Sequence, residues 1–234
     1  MTPDFEREFA RITRTYSPGS LDRVEQMLAQ TSKRGRHPLQ DGARWILPGI
    51  SQQPWHDPYG HPELLPVVKA LEEHQPAIKR ELTRLRSAHR EELYLFRGGA
   101  LVAPSARLAP TAFEVVKQSA VDSGVLCPLL ESRFSTLLPG AVIKPHCDLW
   151  NFSIGLHLAI DIPEHCSITV AGETRSWIEG ECLLFDYSFE HEAANHGDRP
   201  RICLLVDLWH PETTLAEREA LTVLISEIRA MLGE

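Results

Sequence analysis

The segment from residue 93 to residue 211 is a succession of short apolar or alternating runs, and this pattern constrains the fold more than any other feature. Turn sequences such as Pro139-Gly140 and Glu179-Gly180 separate the runs. Many short strands with this punctuation predict an antiparallel β-sandwich or barrel. The runs are Leu93–Phe96, Phe134–Leu138, Ala141–Ile143, Phe152–Ile160, Cys166–Val170, Thr174–Ile178, Cys182–Phe185 and Ile202–Trp209.

Helical periodicity flanks this segment on both sides. From Pro62 to about His89 apolar residues recur at helical spacing, and Pro76 is expected to break or kink the run into two helices. An amphipathic helix is predicted over Thr213–Leu232. The sequence therefore predicts one domain over 1–234, mainly β with flanking helices. A helical or irregular part over 1–92 packs on a β-rich core over 93–211, and a C-terminal helix over 212–234 follows.

Composition excludes several classes of protein. The chain has 24 Lys+Arg and 32 Asp+Glu, a formal net charge of −8, and no basic stripe, so we expect no nucleic-acid partner. No apolar run reaches the roughly 20 residues that span a bilayer, and the polar N-terminus lacks a signal sequence. We expect no membrane partner. Five cysteines without a CxxC pair are typical of free thiols in a reducing compartment, which predicts a cytoplasmic protein.

His146, Asp148 and His191 form a candidate metal site. His146 and Asp148 are two residues apart at the end of a predicted strand, so both side chains are expected on one face. His191 is at the end of another strand-like stretch. Two imidazoles and one carboxylate occupy one face of Fe(II) in non-haem oxygenases, which leaves positions for a bidentate cosubstrate and O₂. The spacing alone leaves an alternative open, in which these histidines are hydrogen-bonded side chains of a β-rich core.

Two further residues fit a small acid in the same core. Arg201 begins an apolar run, where a guanidinium is costly to bury unless it meets an anion such as the distal carboxylate of 2-oxoglutarate. A salt bridge to Asp198 or Glu190 is the alternative. His157 shares its strand face with small residues that would leave room for a ligand. A hydrogen-bonded core histidine fits that position equally well.

Five strings in the segment 127–212 carry a resemblance to a known family. They are FSTLLPG (134–140), IKPH (143–146), WIEG (177–180), FDYSFEHE (185–192) and VDLWHPE (206–212). With a weaker upstream similarity around LPGI (47–50), they resemble the aspartyl/asparaginyl β-hydroxylase family of Fe(II)/2-oxoglutarate dioxygenases. The resemblance implies a double-stranded β-helix, which is a cupin-like jelly roll, and so agrees with the strands read from the pattern.

The resemblance also implies roles for individual residues. His146 and His191 match the family's metal-binding histidines, and Asp148 would complete a catalytic facial triad. Arg201, helped by Ser135, matches the residue that binds the distal carboxylate of 2-oxoglutarate. His157 matches a histidine near the 1-carboxylate of that cosubstrate. The cofactor set that this implies is Fe(II) with 2-oxoglutarate and O₂ as cosubstrates.

The sequence departs from the best-known animal members of the family at two positions. Those members have glycine at the position of Asp148, whereas this chain supplies the carboxylate. A carboxylate weighs against a halogenase, in which halide binds the iron. At Gly155 the same members have an arginine for the 1-carboxylate, so the sequence leaves open which group replaces it.

The implied activity is hydroxylation of an unactivated C–H bond, with an Asp- or Asn-like amino-acid residue, free or in a small peptide, as the expected substrate. Trp150, Asn151 and Asn195 are candidates for the substrate pocket because they follow the predicted ligands closely in sequence. The partner is therefore a small molecule or a peptide, and the sequence leaves the oligomeric state open. A non-catalytic jelly-roll protein that binds or senses a small acid is the alternative.

Overall fold

The computed structural model describes residues 3–29, 37–85 and 93–232. Its helices are α1 (Pro3–Thr15), α2 (Asp22–Ala29), α3 (Leu65–Leu85), α4 (Ala103–Leu108), α5 (Pro110–Val116) and α6 (Leu215–Leu232). Its strands are β1 (Trp55–His56), β2 (Leu93–Arg97), β3 (Ala100–Leu101), β4 (Glu131–Leu137), β5 (Val142–His146), β6 (Ser153–Asp161), β7 (Cys166–Val170), β8 (Glu173–Arg175), β9 (Cys182–Phe185), β10 (His191–Asn195) and β11 (Arg201–Trp209).

The strands within these ranges form two antiparallel sheets. One has the order β1-β9-β6-β11-β4-β2-β3, and the other has the order β5-β10-β7-β8. Side chains from both sheets meet in one apolar cluster, which includes Ala159 and Cys203 from the larger sheet and Ile168 and Ala193 from the smaller one. The two sheets therefore enclose a common interior, and the predicted double-stranded β-helix is confirmed.

The larger sheet is buried on both faces. Its outer face packs against α3 and α5, in a cluster that joins Leu71 and Val116 to Leu156 and Leu204. Alternate residues of β6 and β11 point to the helices and to the barrel interior, and most residues of both strands are apolar. The few polar side chains that these central strands contribute to the site lie on their interior face.

The turn between β4 and β5 places a candidate ligand at the rim of the barrel. Gly140 adopts a φ of 77°, a left-handed conformation that favours glycine, and its N–H donates to the carbonyl of Asn195. Among the described strands β5 pairs only with β10, so it is an edge strand, and all five of its residues are exposed. His146 ends this strand and therefore lies at the open end of the barrel.

The prediction that Pro76 breaks or kinks the helical run after Pro62 into two helices is wrong. Helix α3 continues through Pro76 from Leu65 to Leu85, and the predicted run beyond residue 85 lies outside the described residues. The proline removes one backbone hydrogen bond, but the apolar face of the helix, including Val68 and Ile78, is fully buried against the larger sheet. Burial on that scale outweighs a local loss of about 3 kcal/mol.

The N-terminal part also differs from the sequence expectation. Its loop contains β1, which pairs with β9 at the edge of the larger sheet, so this part supplies a strand to the barrel itself. Helices α1 and α2 pack against α6, and Arg23 of α2 forms an ion pair with Glu217 of α6 at 2.6 Å. The predicted boundary at residue 92 lies outside the described residues. Within the described helices, none is long and apolar enough to cross a lipid bilayer.

Candidate active site

His146, Asp148 and His191 come together at the rim of the barrel. The register of β5 and β10 puts His146 directly opposite His191, and the centroids of their rings are 4.2 Å apart. The Nε2 atom of His146 lies 4.0 Å from Oδ1 of Asp148. One ligand atom from each of the three residues lies within 4.8 Å of the other two. The structure therefore brings the three sequence-predicted ligands into one cluster with two nitrogen donors and one oxygen donor.

Backbone carbonyls orient both imidazoles. Nδ1 of His146 is 2.8 Å from the carbonyl oxygen of Lys144, and Nδ1 of His191 is 2.9 Å from that of Phe189. A carbonyl only accepts, so each Nδ1 carries the proton and each Nε2 keeps its lone pair for a ligand. Burial lowers the pKa of His191, which favours the neutral imidazole that metals bind.

Arg201 supplies an isolated cation inside the barrel. The residue is 2% exposed, and its Nε and Nη1 atoms have no hydrogen-bond partner among the residues that the structure describes. Its guanidinium carbon lies 4.7 Å from the centre of the Trp177 ring, an aromatic neighbour, and no ion pair links it to an acid in the described part of the chain. Asp198 and Glu190, the acids that the sequence offered as salt-bridge partners, form no ion pair with it among the described contacts. A buried guanidinium with two unused donor atoms can bind an anion such as a carboxylate.

Ser135 and His157 share the interior face with Arg201. On β11 alternate residues face inward, so Arg201, Cys203 and Leu205 lie on one side. Cys203 pairs with Ser135 of β4, and Leu205 pairs with His157 of β6. Directly paired residues share a face of the sheet. The structure therefore places the predicted cosubstrate residues on the inner face of three adjacent strands.

A contact with Trp177 determines which ring nitrogen of His157 carries the proton. The indole N–H of Trp177 donates to Nδ1 of His157 at 3.4 Å, which leaves the proton on Nε2. Burial lowers the pKa of His157 well below its usual range, and the nearby charge of Arg201 lowers it further. His157 is therefore a neutral donor. Phe185 lies between it and the ligand cluster, with ring centroids 4.9 Å from His157 and 6.0 Å from His191.

A sequence model described as Aspartyl/Asparaginyl beta-hydroxylase matches residues 63–211. The matched range contains all three clustered ligands, Arg201, Ser135 and His157, and extends over more than half of the chain. The chain belongs to the aspartyl/asparaginyl beta-hydroxylase family.

Curated relatives match parts of the chain. Aspartate beta-hydroxylase domain-containing protein 1 of Mus musculus is 37% identical over 135 residues, which cover 56% of this chain and 37% of the relative. Aspartate beta-hydroxylase domain-containing protein 2 of Homo sapiens is 38% identical over 133 residues, with 55% and 35% covered. Aspartyl/asparaginyl beta-hydroxylase of Mus musculus is 30% identical over 192 residues, with 74% and 25% covered. The matched segments thus span about a third or less of these relatives.

Solved structures with a similar fold match a shorter part of the chain. A predicted oxalate decarboxylase from Thermotoga maritima covers 35% of this chain and 67% of its own, with a TM-score of 0.30 and 15% identity. A cupin 2 conserved barrel domain protein from Salinispora arenicola covers 39% and 70%, with a TM-score of 0.29 and 16% identity.

Tyr187 occupies the space beside Gly155, the position at which the sequence departs from animal members of the aspartyl/asparaginyl beta-hydroxylase family. A Cβ atom on Gly155 would lie 2.7 Å from Cδ1 of Tyr187, which is closer than real Cβ contacts allow. The hydroxyl of Tyr187 donates to Oγ of Ser153 at 3.0 Å, which holds the ring in place. A side chain at position 155 would therefore require the ring of Tyr187 to move. A phenol ring, rather than a second cation, borders this part of the interior.

The structure buries all three residues that the sequence predicts for the substrate pocket. Trp150 is 3% exposed, donates from Nε1 to Ser153 at 2.7 Å and packs against Phe152. Asn151 is buried and bonds through its amide to both backbone groups of Leu47. Asn195 is completely buried, and its amide bonds to the backbone of Leu137, Arg199 and Gly197. Their polar groups form hydrogen bonds inside the protein, and their place in the substrate pocket stays a prediction.

Sequence reasoning missed one contributor to the site. Gln40 is 1% exposed, although it lies in a 3-10 turn over Pro38–Gln40 far from the ligands in sequence. Its Nε2 donates to Oγ of Ser188 at 2.8 Å, within the turn that leads to His191. A glutamine in a proline-flanked loop has no local pattern that marks it as buried. Only the long-range contact identifies it.

Proposed function

We propose that this protein is an Fe(II)- and 2-oxoglutarate-dependent hydroxylase. The observation that carries the proposal is the pairing of two features in one barrel. The first is a His–Asp–His cluster whose imidazole Nε2 atoms are free. The second is the buried guanidinium of Arg201, whose Nε and Nη1 atoms have no hydrogen-bond partner among the described residues. Two imidazoles and a carboxylate are the donor set of non-haem Fe(II) oxygenases, and a dicarboxylate cosubstrate needs a second anchor away from the metal.

Each residue has a defined part in the proposal. His146, Asp148 and His191 would hold Fe(II), which when bound supplies the activation of O₂ that oxidises a C–H bond. Arg201 binds the distal carboxylate of 2-oxoglutarate through its unused Nε and Nη1 donors, and the hydroxyl of Ser135 adds a further donor.

The proposed anchor for the other end of the cosubstrate, its 1-carboxylate, is His157. The Nε2–H group of neutral His157 donates to the 1-carboxylate. Phe185 and Tyr187 border the interior beside His157 and Gly155, respectively, and exclude water from it. Exclusion of water strengthens the hydrogen bonds to both carboxylates because the local dielectric constant is low.

The proposed substrate is an amino-acid residue, free or in a small peptide, that is hydroxylated at an unactivated carbon such as the β-carbon of an Asp- or Asn-like side chain. Support comes from the family, whose relatives are named as aspartate or aspartyl/asparaginyl beta-hydroxylases. A cytoplasmic location is part of the proposal. All five cysteines lie in the described part of the chain and are free thiols, as in a reducing compartment.

The test is anaerobic addition of Fe(II) and 2-oxoglutarate, with detection of the visible charge-transfer band of the chelate. His146→Ala is expected to abolish the band, and Arg201→Ala to shift its half-saturation to much higher 2-oxoglutarate concentration. Release of succinate from 2-oxoglutarate in air then separates a hydroxylase from a non-catalytic protein that binds small acids. A folded protein that shows neither band nor succinate would contradict the proposal.

A further inference from the structure

The turn between β9 and β10, residues 186–190, accepts hydrogen bonds from two of the three clustered ligands. The carbonyl of Tyr187 accepts the backbone N–H of Asp148 at 2.8 Å. The carbonyl of Phe189 accepts Nδ1–H of His191 at 2.9 Å. The backbone position of one ligand and the ring orientation of another therefore depend on where residues 186–190 lie.

The barrel alone does not fix this turn, because a loop from the N-terminal part packs over it. The loop spans residues 37–45. Its carbonyl at Leu39 accepts the N–H of Glu190 at 2.6 Å, and the ring of His37 contacts Phe189 edge-on at 5.1 Å. The same carbonyl lies 3.6 Å from Sγ of Cys147, between two of the ligands. The loop thus touches both chain segments that carry the ligand cluster.

The close approach of the loop is built into its sequence. A Cβ on Gly42 would lie 2.9 Å from Cβ of Cys147, so only glycine lets the two backbones come this near. The N–H groups of Arg44 and Trp45 both donate to the carbonyl of Leu149 at 2.8 Å. Backbone contacts therefore hold the loop to the segment after Asp148.

Gln40 adds a side-chain hydrogen bond between this loop and the turn. Its Nε2 donates to Oγ of Ser188 at 2.8 Å, and both residues are at most 1% exposed. The N–H of Ser188 in turn donates to Oδ1 of Asp186 at 2.8 Å, which closes the turn. Since water has no access here, loss of the amide would leave the hydroxyl of Ser188 without its donor.

We infer that Gln40 is a positioning residue for the metal site, which it stabilises through Ser188 and the turn that holds Asp148 and His191. The inference rests on the proposed function, because it assumes that the cluster binds a metal. Residues that orient metal ligands commonly change metal affinity by 10- to 100-fold when they are replaced. We therefore expect that replacement of Gln40 weakens metal binding more than it destabilises the fold.

The test compares Gln40→Met with Gln75→Met. Gln75 is a matched control because it is also buried, at 6% exposure, and its amide donates to the carbonyls of Ala159 and Ile160 on the far side of the larger sheet. Both variants keep side-chain length and lose the amide. Anaerobic titration with Co(II) gives the metal dissociation constant and the visible spectrum, and thermal unfolding without metal gives the stability.

We expect Gln40→Met to raise the Co(II) dissociation constant about tenfold or more and to alter the Co(II) absorption bands. Gln75→Met is expected to lower the melting temperature while it leaves both metal readouts unchanged. If Gln40→Met does not fold, Ser188→Ala removes the other end of the same bond and is measured in its place. Wild-type affinity and spectrum in the folded variant would overturn the inference alone, whereas a wild-type protein that takes up no Co(II) would overturn the proposed function as well.

Discussion

Arg201 lies over the ring of Trp177 inside the barrel, with the guanidinium carbon 4.7 Å from the centre of the indole. The ring is buried at 4% exposure, and its N–H is directed at His157 rather than at the arginine. An aromatic face stabilises a cation, yet it satisfies none of the N–H donors at its edge. The arrangement therefore keeps the donors of Arg201 available for a carboxylate.

We predict that Arg201→Met weakens 2-oxoglutarate binding by about 100-fold, since two charge-assisted hydrogen bonds are lost and each contributes roughly 1.5 kcal/mol or more. Calorimetric titration of the Mn(II)-loaded protein measures this. The unfolding free energy is not expected to fall, because replacement of a buried unpaired charge by an apolar side chain is often neutral or stabilising.

Arg175→Met is the matched control for this prediction. Arg175 also stacks on a tryptophan, with its guanidinium carbon 4.3 Å from the ring of Trp55, but it is partly exposed and bonds to Glu173. We expect its replacement to leave 2-oxoglutarate affinity unchanged. An equal loss of affinity in the two variants would mean that Arg201 acts only through general packing of the barrel.

A second prediction concerns the carboxylate at Asp148. Asp148→Asn keeps the size of the side chain and removes the negative charge, so we expect the Co(II) dissociation constant to rise at least tenfold. Asp198→Asn, at an exposed site on the loop after β10, is the control and should bind Co(II) as the wild type does. Equal affinity in all three proteins would indicate that the two histidines bind the metal without Asp148.

The close contact between Gly155 and Tyr187 gives a third prediction. Because a Cβ at position 155 would lie 2.7 Å from the Tyr187 ring, Gly155→Ala is expected to lower the unfolding free energy by about 1–3 kcal/mol. In a Tyr187→Leu background the same substitution should cost much less, since the ring carbons that it meets are gone. Urea denaturation of the four proteins measures the coupling. Simple additivity would show that the cost does not arise at this contact.

The strands of the barrel were predictable from the sequence because turns with local signals bound them. β7 and β9 coincide with their predicted runs, Cys166–Val170 and Cys182–Phe185, since each is apolar or alternating and is bounded on one side by a turn sequence, Ala171-Gly172 after β7 and Glu179-Gly180 before β9. The ligand cluster was predictable for the same reason. His146 and Asp148 have strand spacing, and the register of β5 and β10 adds His191, although His191 begins its strand rather than ending one.

Features that depend on long-range packing were not predictable. Helix α3 runs through Pro76 because the larger sheet supports it, which no local pattern reveals. Asn195 follows a ligand on what the sequence reads as a loop, yet it is completely buried, and its amide links the backbone of Leu137 to that of the loop at Gly197 and Arg199. Gln40 contacts Ser188 across 148 residues of chain, so its role is apparent only from the folded structure.

The last prediction concerns two buried histidines, one at the end of β1 and one directly after β11. His56 and His210 are 2% and 0% exposed, their rings meet edge to face at 5.2 Å, and neither Nε2 has a partner among the described residues. Burial is the main cause that lowers the pKa of His56 to about 4 and that of His210 to about 3. Nε2 of His61 lies 3.2 Å from Nδ1 of His56, and the charge of His61 is a smaller cause of both low pKa values.

Protonation therefore destabilises the fold at this position. The unfolded chain binds a proton at His56 below about pH 6.5, whereas the folded chain stays neutral down to about pH 4, so stability is lost as the pH falls between these values. Asp186 and Asp207 act in the opposite direction, because burial raises their pKa to about 7 and their protonated forms favour the fold. The wild-type profile is thus a sum of opposing contributions, and a variant is needed to isolate the histidine.

We predict that His56→Phe gains about 2 kcal/mol of unfolding free energy relative to wild type when the pH is lowered from 8 to 5, whatever the offset between the two proteins at pH 8. Urea denaturation of both proteins at the two pH values measures this difference. His74→Phe, at an exposed site on α3, should show no such change. A difference between His56→Phe and wild type that is independent of pH would mean that His56 takes up its proton equally in the folded and unfolded states.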